Sequence, residues 1–580
     1  MRRKGLIKLV SMLLLFCTLP VGMFACGVVD EPVDTSIDAG SDSVSADTNV
    51  PDSGASGDTD KNVDEKKEMT LYNGIELPAD WPPDDIEAKV GGSSGEIPYL
   101  ISKAEGGTRP DVIDISVGRQ LFVDDFLIES TTLKSTAHKA TPYSNSPIIV
   151  PDTQTDGNAC LLSSSGVWYD EEEKLFKMWY LANWTAGVAY ATSKDGINWE
   201  KPMVGAGNNI VYKQLQPDSV AVWMDKNAKN PNEKYVMFVR TADTKNKDYV
   251  KGNYYYKGYI YTSPDGIKWK FKTQTGICGD RSTIFYNPFM EKWCFSIRSY
   301  INHEGKKTHR ARNLFMTSSL GNLVNSTKEM VNWIFSDKQD KTNEYFDVAE
   351  IYCVDAVAYE SIMLSMVEIL EGPDNSKSNE LGIPKVTELT LGFSRDGFHF
   401  DRTNKEPIIT ASQDATKWDQ GYLSPAAGVC VTVGDKLYFY YSGWQASSTK
   451  AYDKCRIGLA TMRRDGFVSM DGTGELTTRA MCVEDGRKYL FVNAKGSVKA
   501  EILDENGNVY AGYSVNDCVG FTGDSTCTKL SWTSGDDLSF LEGKNFKIRF
   551  YTENAEFYSF WLSDTADGES HGYHAAGLVE

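Results

Sequence analysis

The stretch "SKDGINW" at residues 193–199 recurs, with changes, as "SPDGIKW" at 263–269 and "SRDGFHF" at 394–400. A weaker copy, "RRDGFVS", begins at residue 463. In each copy the Asp-Gly pair lies between strand-like runs, and this pair readily adopts the positive φ angles of a tight hairpin turn. This Asp-Gly phrase therefore predicts the turn of a β-hairpin, followed by an aromatic side chain that packs on a strand face.

The spacing of the phrase defines a repeat. Its aspartates, Asp195, Asp265, Asp396 and Asp465, are 70, 131 and 69 residues apart, and 131 is close to two repeats. One copy has therefore been lost. We expect its remnant near 320–335, where a Thr-Ser strand end and a later tryptophan remain without the Asp-Gly pair.

A second series of strand pairs precedes the phrases, and each pair is joined by a short polar connection. Together the two series give five units of four strands over residues 150–475. Such a period is typical of a β-propeller, in which radially arranged sheets bury each other's faces. Alternating strands over 476–580 predict a β-sandwich, and residues 69–149 a lead-in segment that packs on the propeller. The sequence thus predicts an all-β chain, a five-bladed β-propeller followed by a β-sandwich domain.

The N-terminus carries a targeting signal. Residues 1–26 have a basic start, a short apolar run and a small residue before Cys26, and they resemble a bacterial lipoprotein signal peptide. Residues 27–68 hold 12 acids, 3 bases and almost no large apolar side chains, which predicts a disordered acidic tether. The resemblance implies that Cys26 is lipidated. The protein would then be exported to the bacterial outer membrane or cell surface and touch the membrane only through this anchor.

Composition disfavours several kinds of partner. The net charge is −20 and no basic stripe is present, so we expect no nucleic-acid partner. The chain has six histidines and lacks Cys-x-x-Cys and His-Glu-x-x-His spacings, so we expect no required cofactor.

Export permits disulfides, and the pairs Cys278–Cys294 and Cys518–Cys527 are the candidates. We also expect a monomer.

An acidic residue recurs at or just before the first strand of each unit. In a propeller these strands line the axial channel, so the five side chains should converge at one mouth. Clustered carboxylates raise one another's pKa, which suits glycoside hydrolysis, where one carboxyl group stays protonated and another is ionised. Capping of turns or binding of a structural Ca²⁺ is the alternative interpretation. The five residues are Asp156, Asp218, Asp280, Glu350 and Asp419.

Most of residues 70–567 resemble bacterial exported proteins described as similar to glycoside hydrolase family 32, which shares a five-bladed propeller with family 43. The resemblance rests on "LYNGIELPADWPP" at 71–83, "LFVDDFLIES" at 121–130, the five units and the β-rich tail. It implies that three acids from different blades work together in the active site. They are Asp156 as base or nucleophile, Asp280 as a residue that tunes a pKa or holds substrate, and Glu350 as the acid.

The sequence also departs from that family. The motifs "WMNDPNG", "RDP" and "EC" are absent, which leaves specificity for fructans unsupported. Asp355 and Glu360 remain alternatives to Glu350, because a shift of the strand start changes which residue points inward. Asp124 and Asp125 precede the first unit, and we expect them to pin the chain that closes the ring.

Sugar-binding sites need aromatic faces that pack against C–H surfaces and polar side chains that bond to hydroxyl groups. We therefore take substrate-binding candidates from residues on or beside the inner strands. For the tryptophans, packing between blades is the competing interpretation. Arg281 lies beside Asp280, where it could lower the pKa of that carboxyl group or hold an anionic substituent. The candidates are Asp218, Arg281, Asp419, Trp184, Trp223, Tyr300 and Trp444.

We therefore expect a glycosidase that cleaves a poly- or oligosaccharide, a furanoside of the arabinan or fructan type, by two-carboxylate chemistry. A non-catalytic glycan-binding protein of the cell surface, which would tolerate loss of the acids, is the first alternative. A sialidase-like enzyme is the second, because the repeated sialidase box resembles the phrase, although five units fit it less well. A Ca²⁺-supported structural module of the envelope is the third.

Overall fold

A computed structural model describes most of the chain, which is almost entirely β-structure, as the sequence predicts. The described residues are 68–83, 97–205, 207–213, 217, 219–242, 256–301, 309–323, 326, 329–484 and 486–579. The predicted signal peptide with its lipidation site Cys26, the tether up to residue 67 and the candidate Asp218 lie outside them. Within them, the one α-helix is Asn375–Leu381, with 3₁₀ turns at Pro98–Leu100, Lys103–Glu105, Pro231–Glu233 and Ser539–Leu541. No helix in these ranges has the length and apolar character needed to cross a membrane.

Five sheets follow one another along the chain and confirm the five-bladed propeller. Neighbouring strands within each sheet are antiparallel, apart from one short parallel pair contributed by the C-terminus. The chain-order strands are Cys160–Leu161, Val167–Asp170, Leu175–Ala182, Gly187–Ser193, Trp199–Glu200 and Ile210–Tyr212 (blade 1); Ser219–Met224, Tyr235–Ala242, Tyr256–Ser263 and Lys270–Ile277 (blade 2); Thr283–Asn287, Lys292–Ile301, His309–Thr317 and Val331–Ile334 (blade 3); Glu350–Glu360, Ile362–Gly372 and Val386–Ser394 (blade 4); and Gly421–Pro425, Val431–Val433, Lys436–Gln445 and Lys454–Arg463 (blade 5).

The three complete copies of the Asp-Gly phrase form the same turn in blades 1, 2 and 4. The serine hydroxyl accepts a hydrogen bond from the glycine N–H at 2.9 Å. The aspartate Oδ1 accepts the N–H groups of the residues two and three positions later, at 2.9 and 2.8 Å. Only the glycine has a positive φ, 73–74°. The aspartate therefore acts as a hydrogen-bond acceptor, and the expectation that it shares the left-handed conformation is wrong for these copies.

Each phrase also receives a hydrogen bond from a side chain of the preceding blade. The donor and acceptor pairs are Tyr440 Oη to Gly196 O (2.9 Å), Trp179 Nε1 to Gly266 O (2.8 Å), Trp333 Nε1 to Phe398 O (2.8 Å) and Tyr359 Oη to Asp465 Oδ1 (2.6 Å). These pairs join blade 5 to blade 1, blade 1 to blade 2, blade 3 to blade 4 and blade 4 to blade 5. The repeated phrase is therefore the docking point between neighbouring blades.

The lost copy of the phrase lies in blade 3, where the sequence places it. Its hairpin is formed by His309–Thr317 and Val331–Ile334, and the Thr317 hydroxyl still donates to the Ser319 carbonyl at 2.9 Å. Trp333 occupies the outer strand and docks on blade 4. Blade 3 has therefore kept its strands and its docking side chain while losing the Asp-Gly turn.

Segments from both ends of the chain complete the propeller. Thr141–Pro142 pairs with Ala460 and Thr461, so it adds an outermost strand to blade 5. Upstream, Asp124 accepts hydrogen bonds from Arg395 of the blade 4 phrase at 3.0 and 3.2 Å, and both side chains are buried. Asp124 thus pins the closing chain as expected, whereas its neighbour Asp125 is exposed.

The C-terminal residues return to the propeller. Tyr573–His574 pairs with Tyr359 and Glu360 at the end of the first strand of blade 4. Leu578–Val579 runs parallel to Thr432 and Val433 in blade 5. These contacts place the C-terminal tail at the ends of the inner strands, opposite the mouth where those strands begin.

A nine-stranded sheet follows the propeller and includes four strands of the lead-in segment. It comprises Ile113–Asp114, Gln120–Leu121, Ile128–Thr131, Lys134–Ala137, Val468–Thr478, Met481–Cys482, Tyr489–Asp504, Phe521–Lys529 and Phe546–Ser563. The rings of Phe550 and Phe560 are 5.2 Å apart, although ten residues of straight strand would span about 33 Å. The strand must therefore bend between them, where Asn554 has φ 46°. The sheet folds over a shared aromatic core and so forms two layers.

The predicted disulfides are absent from the structure. All nine cysteines of the described residues are free thiols: Cys160, Cys278, Cys294, Cys353, Cys430, Cys455, Cys482, Cys518 and Cys527. Cys518 Sγ accepts a hydrogen bond from the Ala500 N–H, whereas Cys527 Sγ faces the Asp567 carbonyl. The pairs Cys278–Cys294 and Cys518–Cys527 were therefore wrong, because proximity in sequence does not bring the sulfur atoms together.

The glycine of the phrase is expected to be required for blade docking. A Cβ at Gly266 would lie 2.4 Å from the Trp179 ring, and the residue has φ 74°. Gly266→Ala should lower the free energy of unfolding by about 1–2 kcal/mol for the conformation and about 1–3 kcal/mol for overpacking.

Gly207→Ala is the matched control, because Gly207 has φ 80° and open space around the added Cβ. It should carry only the conformational cost. Urea unfolding of residues 69–580 measures both variants, and equal losses would contradict the docking role.

Candidate functional site

Polar and aromatic side chains of blades 2 to 5 meet where the inner strands begin. Asp280 lies three residues before the first strand of blade 3, Glu350 begins that of blade 4, and Tyr422 lies in that of blade 5. We call this group the axial cluster, and its members are Ser219, Asp280, Arg281, Arg298, Arg310, Glu350, Tyr352, Glu368, Lys385 and Tyr422. Trp184 of blade 1 adjoins it through Tyr422, at 6.0 Å between ring centres.

Asp280 is a partly exposed carboxylate held by arginines. Its Oδ1 accepts a hydrogen bond from the Ser219 hydroxyl at 3.1 Å, and its Oδ2 lies 4.0 Å from Arg298 Nη1. Burial alone would raise the pKa of Asp280, but Arg240, Arg298 and other guanidinium groups outweigh it and hold the pKa well below its usual range. Asp280 is therefore ionised at neutral pH while 24 % of its side chain remains exposed.

Glu350 is the second partly exposed acid of the cluster. Its Oε2 lies 2.5 Å from Arg310 Nη1, and its Oε1 accepts the Arg310 backbone N–H at 3.4 Å. Its side chain is 15 % exposed. The Arg310 pair fixes the orientation of Glu350 at the mouth, one blade away from Asp280.

Three cations surround the ring of Tyr352. Arg281, Arg310 and Lys385 lie 5.8, 5.3 and 4.4 Å from its centre. Lys385 Nζ also lies 4.0 Å from the ring centre of Tyr422 and donates a hydrogen bond to the Tyr352 hydroxyl at 2.6 Å. For Lys385 the aromatic faces and the hydroxyl group compensate for positive charge in a buried place, whereas Arg281 and Arg310 also pair with Glu368 and Glu350.

Lys385 is only 2 % exposed. Burial, together with repulsion from Arg310, lowers the pKa of Lys385 to about 7, against the opposing pull of Asp280 and Glu368. The amine therefore changes its charge near neutral pH.

A deeper layer lies directly beneath the mouth. Arg281 Nη2 is 2.5 Å from Glu368 Oε2, and its Nη1 donates to the Ser163 hydroxyl. Asp355 accepts a hydrogen bond from Ser164 at 2.6 Å, and burial raises its pKa to about 6 despite that bond. Burial also raises the pKa of Glu368. This layer can therefore store a proton close to the ionised Asp280.

The sequence-derived candidates occupy different places. Asp156 is fully buried, and its partners are Thr153, Tyr180 at 2.9 Å and Lys201 at 2.8 Å. Burial would raise the pKa of Asp156, but the Lys201 contact leads the contributions that lower it overall. Asp156 thus fixes a turn of blade 1 through an ion pair, and its bonds do not reach the axial cluster.

The aromatic candidates divide into two groups. Trp184 and Trp444 are 5.1 Å apart beside Tyr422, so they form one wall of the mouth region, although Trp444 is itself buried. Tyr300 is 48 % exposed and lies under the Arg298 guanidinium at 5.3 Å. Trp223, in contrast, is buried against Trp168 and Trp293, which is the packing between blades considered as the competing interpretation.

Asp419 is the remaining described candidate among the acids. Its Oδ2 accepts a hydrogen bond from Tyr441 at 3.2 Å, and burial raises its pKa. It lies before the first strand of blade 5, and its side chain is bonded to Tyr441 rather than to an arginine.

The choice between Glu350 and Glu360 is resolved by position. They are the first and last residues of one eleven-residue strand, so about 30 Å separates them. Glu360 accepts hydrogen bonds from the Arg119 N–H at 3.1 Å, Ser570 at 2.7 Å and Arg464 at 3.0 Å. Glu360 therefore ties the far end of the propeller to the C-terminal tail, and only Glu350 lies at the mouth.

Sequence reasoning missed most of the cations. Arg298 and Arg310 lie on the second and third strands of blade 3, and Lys385 precedes the third strand of blade 4. The repeat gave no signal at these positions. The one available clue was compositional, since "SIRSY" and "HRARN" place basic residues in strands of an acidic chain.

The described part of the chain contains no group of three or more His, Cys, Asp or Glu side chains arranged to hold a metal ion. The structural Ca²⁺ considered from the sequence therefore has no ligand set in these ranges, and it stays a prediction.

Comparison with known proteins gives structural likenesses at low identity. No family model matches the sequence, and no curated protein matches it. Among solved structures, an N-acetylgalactosamine deacetylase from F. plautii is 13 % identical over 58 % of this chain and 96 % of its own, with a TM-score of 0.38. A glycosyl hydrolase from Bacteroides ovatus is 13 % identical over 60 % and 97 %, with a TM-score of 0.38.

A Bombyx mori family 32 β-fructofuranosidase is 10 % identical over 76 % of this chain and 94 % of its own, with a TM-score of 0.36. With identities and TM-scores this low, these likenesses establish neither the activity nor the substrate of this chain. The blades and the axial cluster described above must carry that argument.

The buried amine of Lys385 should lower the free energy of unfolding. Its folded pKa of about 7 is below the ordinary lysine value of about 10.4, so protons favour the unfolded chain between these values. The free energy of unfolding should therefore rise as the pH increases from 7 to 10, and Lys385→Met should remove that rise. At pH 6 the variant should be more stable by about 1 kcal/mol or more.

Lys226→Met is the control, because Lys226 is exposed and paired with Glu171. Urea unfolding across this pH range measures the three proteins. An unchanged pH slope in Lys385→Met would contradict the assignment.

Proposed function

We propose that this chain is a glycoside hydrolase that cleaves a poly- or oligosaccharide at the axial cluster. The observation that carries the proposal is the pair of partly exposed carboxyl groups, Asp280 and Glu350, presented by neighbouring blades at one mouth. Glycoside hydrolysis needs two such groups on either side of the scissile bond. A furanoside of the arabinan or fructan type remains the substrate that the sequence resemblance favours.

Asp280 is the carboxylate that acts as base or nucleophile. The surrounding guanidinium groups keep it ionised at neutral pH, and the Ser219 hydroxyl orients it. The family resemblance implies this role for Asp156, but Asp156 is fully buried and paired with Lys201. Accessibility therefore favours Asp280 for the reaction and Asp156 for stability.

Glu350 is the proton donor. Its Oε2 contacts Arg310 Nη1, so a leaving-group oxygen must approach beside this pair to receive the proton. Asp355 is the alternative donor, because burial raises its pKa to about 6 and it therefore holds a proton more readily than an ordinary aspartate. It is buried behind Ser164, and for that reason we assign donation to Glu350.

We expect Asp280→Asn and Glu350→Gln each to lower kcat by about 10²–10⁴-fold, because each removes a group that transfers a proton or attacks the sugar. The measurement is reducing-sugar release by residues 69–580 from arabinans, fructans and other plant, algal and bacterial-envelope glycans. Circular dichroism checks that the variants stay folded.

Asp156→Asn and Asp355→Asn are the comparisons. Asp156→Asn should lower stability with little change in kcat. A large loss in Asp355→Asn with little loss in Glu350→Gln would move proton donation to Asp355. Binding of a glycan by all proteins without cleavage would replace the hydrolase with the non-catalytic glycan-binding alternative.

We further propose that the mature chain is a lipoprotein of the outer membrane or cell surface, anchored through Cys26 and monomeric. The support is the signal-like sequence and the acidic tether that follows it. Cys26→Ala should abolish incorporation of labelled fatty acid and release the chain from the membrane fraction. Retention of both in the variant would contradict the anchor.

A further inference from the structure

The axial cluster gathers basic side chains within a strongly acidic chain, whose net charge is −20. Arg281, Arg310 and Lys385 surround the ring of Tyr352, and Arg298 lies over Tyr300. Glu368, Glu350 and Asp280 are the carboxyl groups beside Arg281, Arg310 and Arg298. Positive charge that acids do not fully offset attracts anions.

Part of this charge is buried without an acidic partner. Lys385 has a hydrogen bond to the neutral Tyr352 hydroxyl and, among the described residues, no carboxylate within ion-pair distance. Arg312 is 1 % exposed and donates to the Arg281 carbonyl at 3.0 Å, while its Nε and Nη2 have no partner in the described part of the chain. Burying an unpaired cation is costly. We therefore expect Lys385 to lower the stability of the fold, and we infer from this cost that the residue serves a ligand.

The rim of the cluster offers access to that charge. The side chains of Arg298 and Arg310 are 9 % and 17 % exposed, and they lie on adjacent strands of blade 3. A guanidinium group can donate two parallel hydrogen bonds to the oxygens of a carboxylate, sulfate or phosphate. Tyr300, exposed beside Arg298, presents an aromatic face of the kind that sugar rings pack against.

We propose that the axial cluster binds an oxyanion between Arg298, Arg310 and Lys385, and that this oxyanion is the acidic group of the sugar substrate. Naming an acidic glycan as the substrate class rests on the proposed hydrolase function and replaces the neutral furanoside that the sequence resemblance favours. The oxyanion site itself does not, because it depends only on the cations. The chemistry is shared by a sugar carboxylate and by free phosphate, so the test must separate them.

The first experiment measures binding to residues 69–580 by titration calorimetry at low ionic strength. D-galacturonate and D-galactose are compared, since they differ only in the carboxylate, and inorganic phosphate is titrated separately. We expect galacturonate to bind about tenfold more tightly than galactose, and added salt to weaken it. Tight binding of phosphate alone would support the oxyanion site but overturn the acidic sugar. Equal binding of both sugars with no phosphate binding would overturn the whole proposal.

The second experiment uses variants. Lys385→Met and Arg298→Gln should each weaken galacturonate binding about tenfold or more while leaving galactose binding unchanged. Lys226→Met removes an exposed charge elsewhere on the propeller and should change neither. Loss of affinity for both sugars in Lys385→Met would indicate a structural role and contradict the proposal.

The two proposals fail in different ways. If Asp280→Asn abolishes hydrolysis of a neutral glycan and charge gives no advantage in binding, the hydrolase stands and the oxyanion site fails. If galacturonate binds through Lys385 and no glycan is cleaved, the oxyanion site stands and the hydrolase fails.

Discussion

The hydrogen bond between one blade and the turn of the next is the constraint on which the propeller depends. A side chain of each donating blade must reach a backbone carbonyl or the aspartate of an Asp-Gly phrase, and at Gly266 only the absence of a Cβ lets the Trp179 ring approach. Because the same bond recurs around the ring, it fixes the angle between neighbouring sheets. The starts of the inner strands are thereby brought to one mouth, so the position of Asp280 relative to Glu350 follows from contacts at the outer edge of the blades.

The fourth copy of the phrase shows how a repeat unit can be adapted to join two domains. Asp465 accepts hydrogen bonds from Tyr359 of blade 4 and from Ser559 of the C-terminal sheet, both at 2.6 Å. Arg119 of the lead-in segment pairs with it at 3.0 Å and stacks over Trp561. Burial opposes ionisation here, yet the arginines lower the pKa of Asp465 to about 2. One buried carboxylate therefore holds the last blade, the closing segment and the C-terminal sheet together.

The fold could be predicted from the sequence because the Asp-Gly phrase is a local signal, so each copy marks one blade. It also located Asp280 and Glu350, since their positions relative to the inner strands follow the repeat. It could not locate Arg298, Arg310 or Lys385, because second and third strands carry no periodic signal and their meeting depends on how blades are arranged in space. The pairing of Asp156 with Lys201 was hidden for the same reason, since 45 residues separate them. The disulfide expectation failed because spacing along the chain does not report the direction of a thiol.

The two ends of the propeller differ in how their buried charges are compensated, and this difference supports the proposed site at the mouth. At the far end, Glu360 and Asp465 face Arg119 and Arg464, so two acids balance two bases and the C-terminal tail covers them. At the mouth, Lys385 has no carboxylate partner among the described residues and is held by aromatic rings and a hydroxyl group. A buried network in which each acid has a basic partner can stabilise a fold. An unpaired buried charge lowers the stability of the fold unless a ligand of opposite charge binds to it. The unpaired amine at the mouth is therefore the charge that the proposed oxyanion would offset, and the proposed catalytic carboxyl groups lie beside it.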